Sequence, residues 1–179
     1  KRTEIAEFEN INKNGKIAIK LNDDDSLAFV VATSGNAEII IAGTNGKAVR
    51  FREDSVRAMS RIARGVKGFN VDGGHVIGLA TNEEGKYILT VSSNGYGKKS
   101  ELTDFRLTNR GSKGVKAISL TDKTGDLIAM RAVNGDEDLM IMSDGGIIIR
   151  ISLTQVSVYG RGAQGVRVIN LSGNQKVSS

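Results

Sequence analysis

The chain has 179 residues, 25 Lys+Arg against 20 Asp+Glu, a net charge of +5 and a pI near 9.5. No Cys and a single His, His75, exclude disulfides, thiolate metal sites, cysteine nucleophiles and His-dependent triads together. The longest apolar runs, such as Leu27-Ala28-Phe29-Val30-Val31-Ala32, fall far short of the ~20 residues that span a bilayer, and no signal pattern or initiator Met opens the chain. With 39% hydrophobic and 25% charged residues, the composition predicts a cytoplasmic, mildly basic domain without catalytic chemistry.

In chain order, a basic residue at Arg2 is followed by apolar Phe8 and then by Gly15, which opens the alternating run Ile17-Ala18-Ile19-Lys20-Leu21. An acidic turn at Asp23-Asp24-Asp25 leads to a strand at residues 26–30, and a second strand at residues 38–41 ends on Asn45-Gly46, a hairpin dipeptide. Arg50 and Val56 then repeat the Arg2 and Phe8 positions. Residues 52–64 show some helical spacing that no other part of the chain keeps, so they read as a long connection between strands.

Gly65 opens the next alternating run at residues 67–71, the turn Asp72-Gly73-Gly74-His75 follows, and strands are predicted at residues 76–79 and 87–91, ending on Asn94-Gly95. Lys99, Phe105 and Gly114 continue the pattern, with runs at residues 116–120, 127–130 and 139–142 and a turn at Asp144-Gly145. Arg150, Val156, Gly165 and the run at residues 167–171 begin a further round.

Two series therefore share one period. The glycines 15, 65, 114 and 165 lie 50, 49 and 51 apart, and the hairpin dipeptides lie 49 and 50 apart. About four short strands per ~50 residues predict an all-β, propeller-like array of about 3.5–4 four-stranded blades. The repeat units fall at approximately 1–48, 49–97, 98–148 and 149–179 of a single domain, 1–179. Because the first unit starts on its basic position and the last stops after its second strand, the chain is expected to be a fragment of a larger array.

Charge is informative once divided by phase. The stretches 1–17, 49–67, 98–116 and 149–167 carry +1, +4, +4 and +3, which leaves −7 on everything else. The acids gather at residues 23–25, Glu83-Glu84 and Asp136-Glu137-Asp138. A connection that is basic in every unit makes a cationic rim suited to a polyanion, and duplex DNA is the commonest such partner. With Tyr96 and Tyr159 isolated, the pattern favours phosphate contact over stacking on single strands. The plainer alternative is a solvated face, or a propeller-like scaffold binding an acidic protein.

Asn45-Gly46-Lys47-Ala48-Val49-Arg50-Phe51, Gly65-Val66-Lys67-Gly68, Asn94-Gly95-Tyr96-Gly97-Lys98-Lys99, Gly111-Ser112-Lys113-Gly114-Val115-Lys116 and Gly160-Arg161-Gly162-Ala163-Gln164-Gly165-Val166 closely resemble the C-terminal domain of DNA gyrase A over the whole chain. The corresponding protein of topoisomerase IV, a paralogue, has a similar domain. The resemblance implies a β-pinwheel with strands exchanged between neighbouring blades. It also implies a rim that bends double-stranded DNA independently of sequence, so that the holoenzyme introduces negative supercoils. The implied partners are the remainder of gyrase A and the gyrase B protein, in the bacterial cytoplasm at the nucleoid and away from membranes. The tyrosine nucleophile, ATP and Mg²⁺ belong to other parts of such an enzyme, so no cofactor, metal or catalytic residue is expected here. The family's Gln-Arg-Arg-Gly-Gly-rich box is missing, and the start of the chain aligns downstream of its blade. DNA bending without a complete wrap is expected.

The expected DNA contacts fall into three sets. Arg2, Arg50, Lys99 and Arg150 occupy the recurring basic position, where strand-edge charge is the competing explanation. Lys16, Arg64, Lys67, Lys113, Lys116 and Arg167 flank the repeat glycines. Arg52, Arg57, Arg61, Lys98, Arg106, Arg110 and Arg161 complete the basic stretches. The repeat glycines read as turn requirements, Phe8, Val56, Phe105 and Val156 as core, and His75 as a surface residue. Asp23, Asp24 and Asp25 lack the spaced ligands of a calcium loop.

Overall fold

Alternating side chains and a glycine-ended turn make a hairpin of each central strand pair, and the hairpins recur at the expected period. The computed structural model describes residues 1–178; Ser179, the end of the expected fourth unit, lies outside the described residues. The strands are β1 (Glu38–Gly43), β2 (Lys47–Arg52), β3 (Val76–Thr81), β4 (Tyr87–Ser92), β5 (Tyr96–Glu101), β6 (Val115–Lys116), β7 (Leu127–Val133), β8 (Asp138–Met142), β9 (Ile148–Ser152) and β10 (Val166–Arg167). Short 3-10 turns at Ile5–Phe8, Glu53–Ser55, Leu102–Asp104 and Leu153–Gln155 begin the long connections, so the weak helical spacing of residues 52–64 amounts to one such turn.

In the three hairpins β1–β2, β4–β5 and β8–β9, a backbone bond closes each turn: Gly46 N to Gly43 O, Gly95 N to Ser92 O and Gly146 N to Ser143 O, at 3.0, 2.9 and 3.0 Å. Only the closing glycine is left-handed, with φ of +72°, +81° and +81°, the form taken by hairpin loops built on a type I turn. The third turn thus pivots on Gly146, one residue beyond the expected Asp144-Gly145 pair. With that shift the turn glycines 46, 95 and 146 are spaced 49 and 51 apart, in step with the repeat glycines.

The sheets run β3-β1-β2-β6 and β10-β5-β4-β7, with β8-β9 as a two-stranded third. Strand exchange is therefore present: Val115 pairs with Ala48 and Val166 with Gly97, each from one period further along. The exchange depends on the repeat glycines. A Cβ on Gly165 would lie 2.6 Å from Gly97 O, and one on Gly114 would run into the Ala48 carbonyl. Each hairpin also bridges an expected unit boundary, since β2 contains residues 48 and 49 and β5 contains residues 97 and 98.

Among the described residues two sheets have four strands, fewer than expected. Residues 17–21 and 26–30 form no strand, and Leu27 and Val30 are 55% and 82% exposed. Their counterparts β3 and β7 are strands because they lie against β1 and β4; residues 26–30 pair with no described strand, although Phe29 shares a cleft with Leu89 of β4 and Met140 of β8. The alternating runs after Gly114 and Gly165 are laddered only in their first residues. Beyond these, the backbone crosses the preceding hairpin turn, with Ala117 N to Gly46 O at 2.8 Å and Val168 N to Gly95 O at 2.9 Å.

The core lies between sheets. Ile40, Ala42 and Ala48 on one face of the first sheet meet Ile88, Leu127 and Met130 of the second, with Phe105 and Ile118 from the connections. The opposite face of the second sheet, Leu89 and Val91, packs on Ile141, Leu153, Val156 and Ile169. Phe105, Val56 and Val156 are buried as expected, and Phe8 is half-buried.

Buried charge interrupts this packing at Lys98 and Glu53, in addition to Lys99. Lys98 is fully enclosed, and its ammonium donates to Ser100 Oγ (2.7 Å), Gly160 O (3.1 Å) and Arg161 O (2.9 Å). Burial lowers its pKa from 10.5 to about 8, with Asp104 opposing the shift and Arg161 adding to it. Lys98 is thus an internal tie, which corrects its assignment as a DNA contact. Glu53 stands where the other 3-10 turns place Leu102 and Leu153. Its carboxylate is buried, and neither oxygen has a hydrogen-bond partner among the described residues.

Two consequences follow for stability. Glu53→Leu restores the repeat's apolar residue and removes an unpaired buried carboxylate; it should raise unfolding free energy by about 1–3 kcal/mol in urea denaturation. A folded-state pKa below the unfolded value makes Lys98 a pH-dependent cost that is present in full below about pH 8 and gone above 10.5. The stability of the unaltered chain relative to Lys98→Met should therefore rise across that window, and a flat difference would contradict the assignment.

Candidate nucleic-acid interface

The hairpin register places the recurring basic residue at one site on each sheet. Arg50 lies opposite Ile40, Lys99 opposite Leu89 and Arg150 opposite Met140. Because strand side chains alternate, these cations share one face of their sheets, which for Arg50 and Lys99 is the face that meets the following sheet. Arg50 Nη1 donates to Leu102 O (3.2 Å) and Phe105 O (2.8 Å), the ends of the next 3-10 turn. Its Nε and Nη2 hold Glu38, and the side chain is 13% exposed. Lys99 is buried and donates to Leu153 O at 2.7 Å, with the Tyr87 ring centroid 5.4 Å away. Arg2 Nη1 reaches Glu53 O and Val56 O, both at 3.3 Å. Arg2, Arg50 and Lys99 thus each direct at least one donor to backbone carbonyls of the neighbouring connection, a placement that differs from the open phosphate contact expected of them.

A second recurring arginine also turns inward. Arg61, Arg110 and Arg161 donate to the carbonyls of Ile17 (2.7 Å), Lys67 (3.1 Å) and Lys116 (2.9 Å), each two residues beyond a repeat glycine. All three are half-buried rather than fully exposed. The sequence signal for both sets was present in the spacing, but spacing does not distinguish a cation facing its neighbour from one facing water.

The remaining expected contacts are exposed. Arg52 pairs with Asp54 (3.1 Å), Lys113 with Asp72 (3.4 Å) and Arg150 with Asp138, while Lys16 donates to Glu9 O. Such surface pairs contribute little and exchange readily for another anion. Arg57, Arg64, Lys67, Arg106 and Lys116 have exposed side chains with no hydrogen-bond or ion-pair partner among the described residues. Lys67, Lys116 and Arg167 are equivalent, two residues past Gly65, Gly114 and Gly165, and the last two stand on β6 and β10, which close one edge of each four-stranded sheet.

The acids lie elsewhere. Glu83-Glu84 and Asp136-Glu137 occupy the turns leaving β3 and β7, the opposite edge strands. Glu84 Oε2 accepts Thr81 N at 2.7 Å, and Glu137 accepts Asn134 N and Gly135 N at 2.6 and 2.7 Å, bonds that hold its pKa below the ordinary carboxylate value. Tyr96, expected to be isolated, lies between Arg167 and Lys123. Arg167 donates to its hydroxyl at 3.1 Å, which lowers the phenol's pKa and sets the guanidinium beside the ring. No group of three or more His, Asp or Glu among the described residues is placed to hold a metal ion, and no helix is long and apolar enough to cross a membrane.

This arrangement has clear relatives. The chain is 43% identical over its whole length to the DNA gyrase A protein of Ureaplasma parvum and 42% identical to that of Staphylococcus epidermidis, covering 21% and 20% of those proteins. It thus spans about a fifth of the length of the curated relatives it matches. A solved DNA gyrase A C-terminal domain superposes with a TM-score of 0.78 at 29% identity, over 93% of this chain and 57% of that one. The C-terminal domain of a DNA topoisomerase IV shares the fold with a TM-score of 0.89 at 23% identity, over 99% and 56%. The family described as DNA gyrase C-terminal domain, beta-propeller, matches residues 1–34, 37–82, 86–134 and 137–179 in turn. The chain belongs to that DNA gyrase C-terminal domain family.

Proposed function

We propose that this chain binds duplex DNA through its phosphate backbone, independently of sequence, and bends it along the edge marked by β6 and β10. It does so as part of a DNA gyrase A protein. The bent duplex is presented to the remainder of gyrase A and to gyrase B, which carry out strand passage and introduce negative supercoils. The setting is the bacterial cytoplasm, at the nucleoid. One observation carries the reading: Arg57 and Arg106, with Lys67, Lys116 and Arg167, recur at equivalent exposed positions, none of them paired with an acid. Unpaired guanidinium and ammonium groups at a regular spacing suit regularly spaced phosphates. Tyr96, which lies on β5 beside this edge, is buried against Arg167, so base stacking on it contributes little to the reading.

Salt titration tests it. Log affinity for duplex DNA should fall linearly with log salt, and the combined Arg57→Gln, Lys67→Gln, Arg106→Gln and Lys116→Gln variant should flatten the slope by about 0.9 for each contact removed. The loss should be equal for unrelated duplex sequences, with the urea midpoint unchanged. An unaltered slope overturns the assignment. Displacement of the duplex by an acidic polypeptide of equal charge at equal concentration would instead favour a protein partner.

A further inference from the structure

We propose that the inward-turned cations are positioning residues that fix the angle between successive sheets, and through it the bend of the bound duplex. The inference rests on the DNA-binding reading above and assigns to these cations a different task from phosphate contact.

The geometry repeats at every junction. From one side a cation reaches forward to the next 3-10 turn: Arg2, ahead of the first described strand, to Glu53 O and Val56 O, and on the hairpins Arg50 to Leu102 O and Phe105 O and Lys99 to Leu153 O. From the other side an arginine reaches back to the carbonyl two residues past the repeat glycine: Arg61 to Ile17, Arg110 to Lys67, Arg161 to Lys116. Where the preceding position is another lysine, it joins the set. Lys1 donates to Arg61 O and Lys98 to Arg161 O. At the middle junction that position is Val49, and Arg110 Nε supplies a further bond, to Ser55 O at 3.2 Å.

The backbone follows the side chains. Residues 58, 107 and 158 bridge in parallel to residues 2, 50 and 99, with Thr108 N to Arg50 O and Tyr159 N to Lys99 O, both at 2.8 Å. Apart from Lys116 on β6, the acceptor carbonyls lie in connections that have no regular ladder, where charged donors supply partners.

Arg150 is an internal control. It holds the same register position, yet with no described 3-10 turn beyond its sheet it bonds only Asp138, and its side chain is 72% exposed, against 13% for Arg50. The residue type is the same in both places; the neighbouring connection decides whether it acts as a tie. Two ties acting in opposite directions across one junction resist hinge opening, whereas packed apolar side chains alone tolerate small rotations. The ties connect the strands and connections that carry Lys67, Arg106 and Lys116, so they set the distances between exposed cations on adjacent sheets.

The test separates contact number from bend. Arg50→Met, Arg110→Met, Arg50→Lys and Arg150→Met are compared in the 179-residue chain by salt-dependent binding, by energy transfer between the ends of a labelled duplex, and by hydrogen exchange at the Thr108 amide. Expected for Arg50→Met and Arg110→Met are an unchanged salt slope, reduced end-to-end transfer and Thr108 exchange faster by about tenfold or more. Arg50→Lys should restore much of the bend, and Arg150→Met should leave Thr108 exchange unchanged. A salt slope that flattens by about 0.9 for Arg50→Met marks Arg50 as a phosphate contact and overturns the inference. So does an unchanged bend with DNA still bound. Failure of the unaltered chain to bind duplex overturns the DNA reading and the inference together.

Discussion

Each four-stranded sheet in this protein is finished by residues of the following period. Val115 must pair with Ala48, and Val166 with Gly97, before either sheet has its fourth strand. The pairing requires a left-handed glycine against the partner strand's backbone, which is why Gly114 and Gly165 leave no room for a side chain. A single period cannot bury its own faces or pair its own edges. Order in one sheet therefore depends on the next, as in other repeat arrays, and the contacts that matter are long-range in sequence.

The same dependence explains how the cations are used. A connection that leaves one sheet, makes a 3-10 turn and crosses the next hairpin has carbonyls without a regular partner. Arg50 and Lys99 supply donors from the sheet before, and Arg110 from the connection after. The basic stretches therefore contain two populations only a few residues apart. One is turned inward and tied to backbone oxygen. The other, including Arg57, Lys67, Arg106 and Lys116, is left in water. Only the second is available to a polyanion, so the total charge of a stretch overstates its binding capacity.

Departures from the repeat show where the pattern is under tension. Glu53 puts a carboxylate where Leu102 and Leu153 pack, and Lys98 puts an ammonium where Val49 packs. The lysine is compensated by three donated bonds and the glutamate by none. Periodicity alone treats both as ordinary variation, because whether a charge is satisfied depends on atoms from another period.

Much of this protein was legible in its sequence. Glycine spacing, hairpin dipeptides and alternating apolar runs determined an all-β array with a period near fifty, since turn chemistry and side-chain alternation are local properties. Division of charge by phase determined that one set of connections is basic and the intervening turns acidic. Tertiary structure alone decided which cations face solvent, that the third turn pivots on Gly146, and that residues 26–30 lack a partner while residues 76–81 have one. Arg50 and Arg150 make the distinction plain: equivalent residues at equivalent positions, one closed against a described neighbouring turn and the other bonded only to Asp138 among the described residues. The composition established how much positive charge there is. Where that charge could act depended on what lay across the sheet, because hydrogen bonds to a neighbour's backbone are set by distance in space and not by distance along the chain.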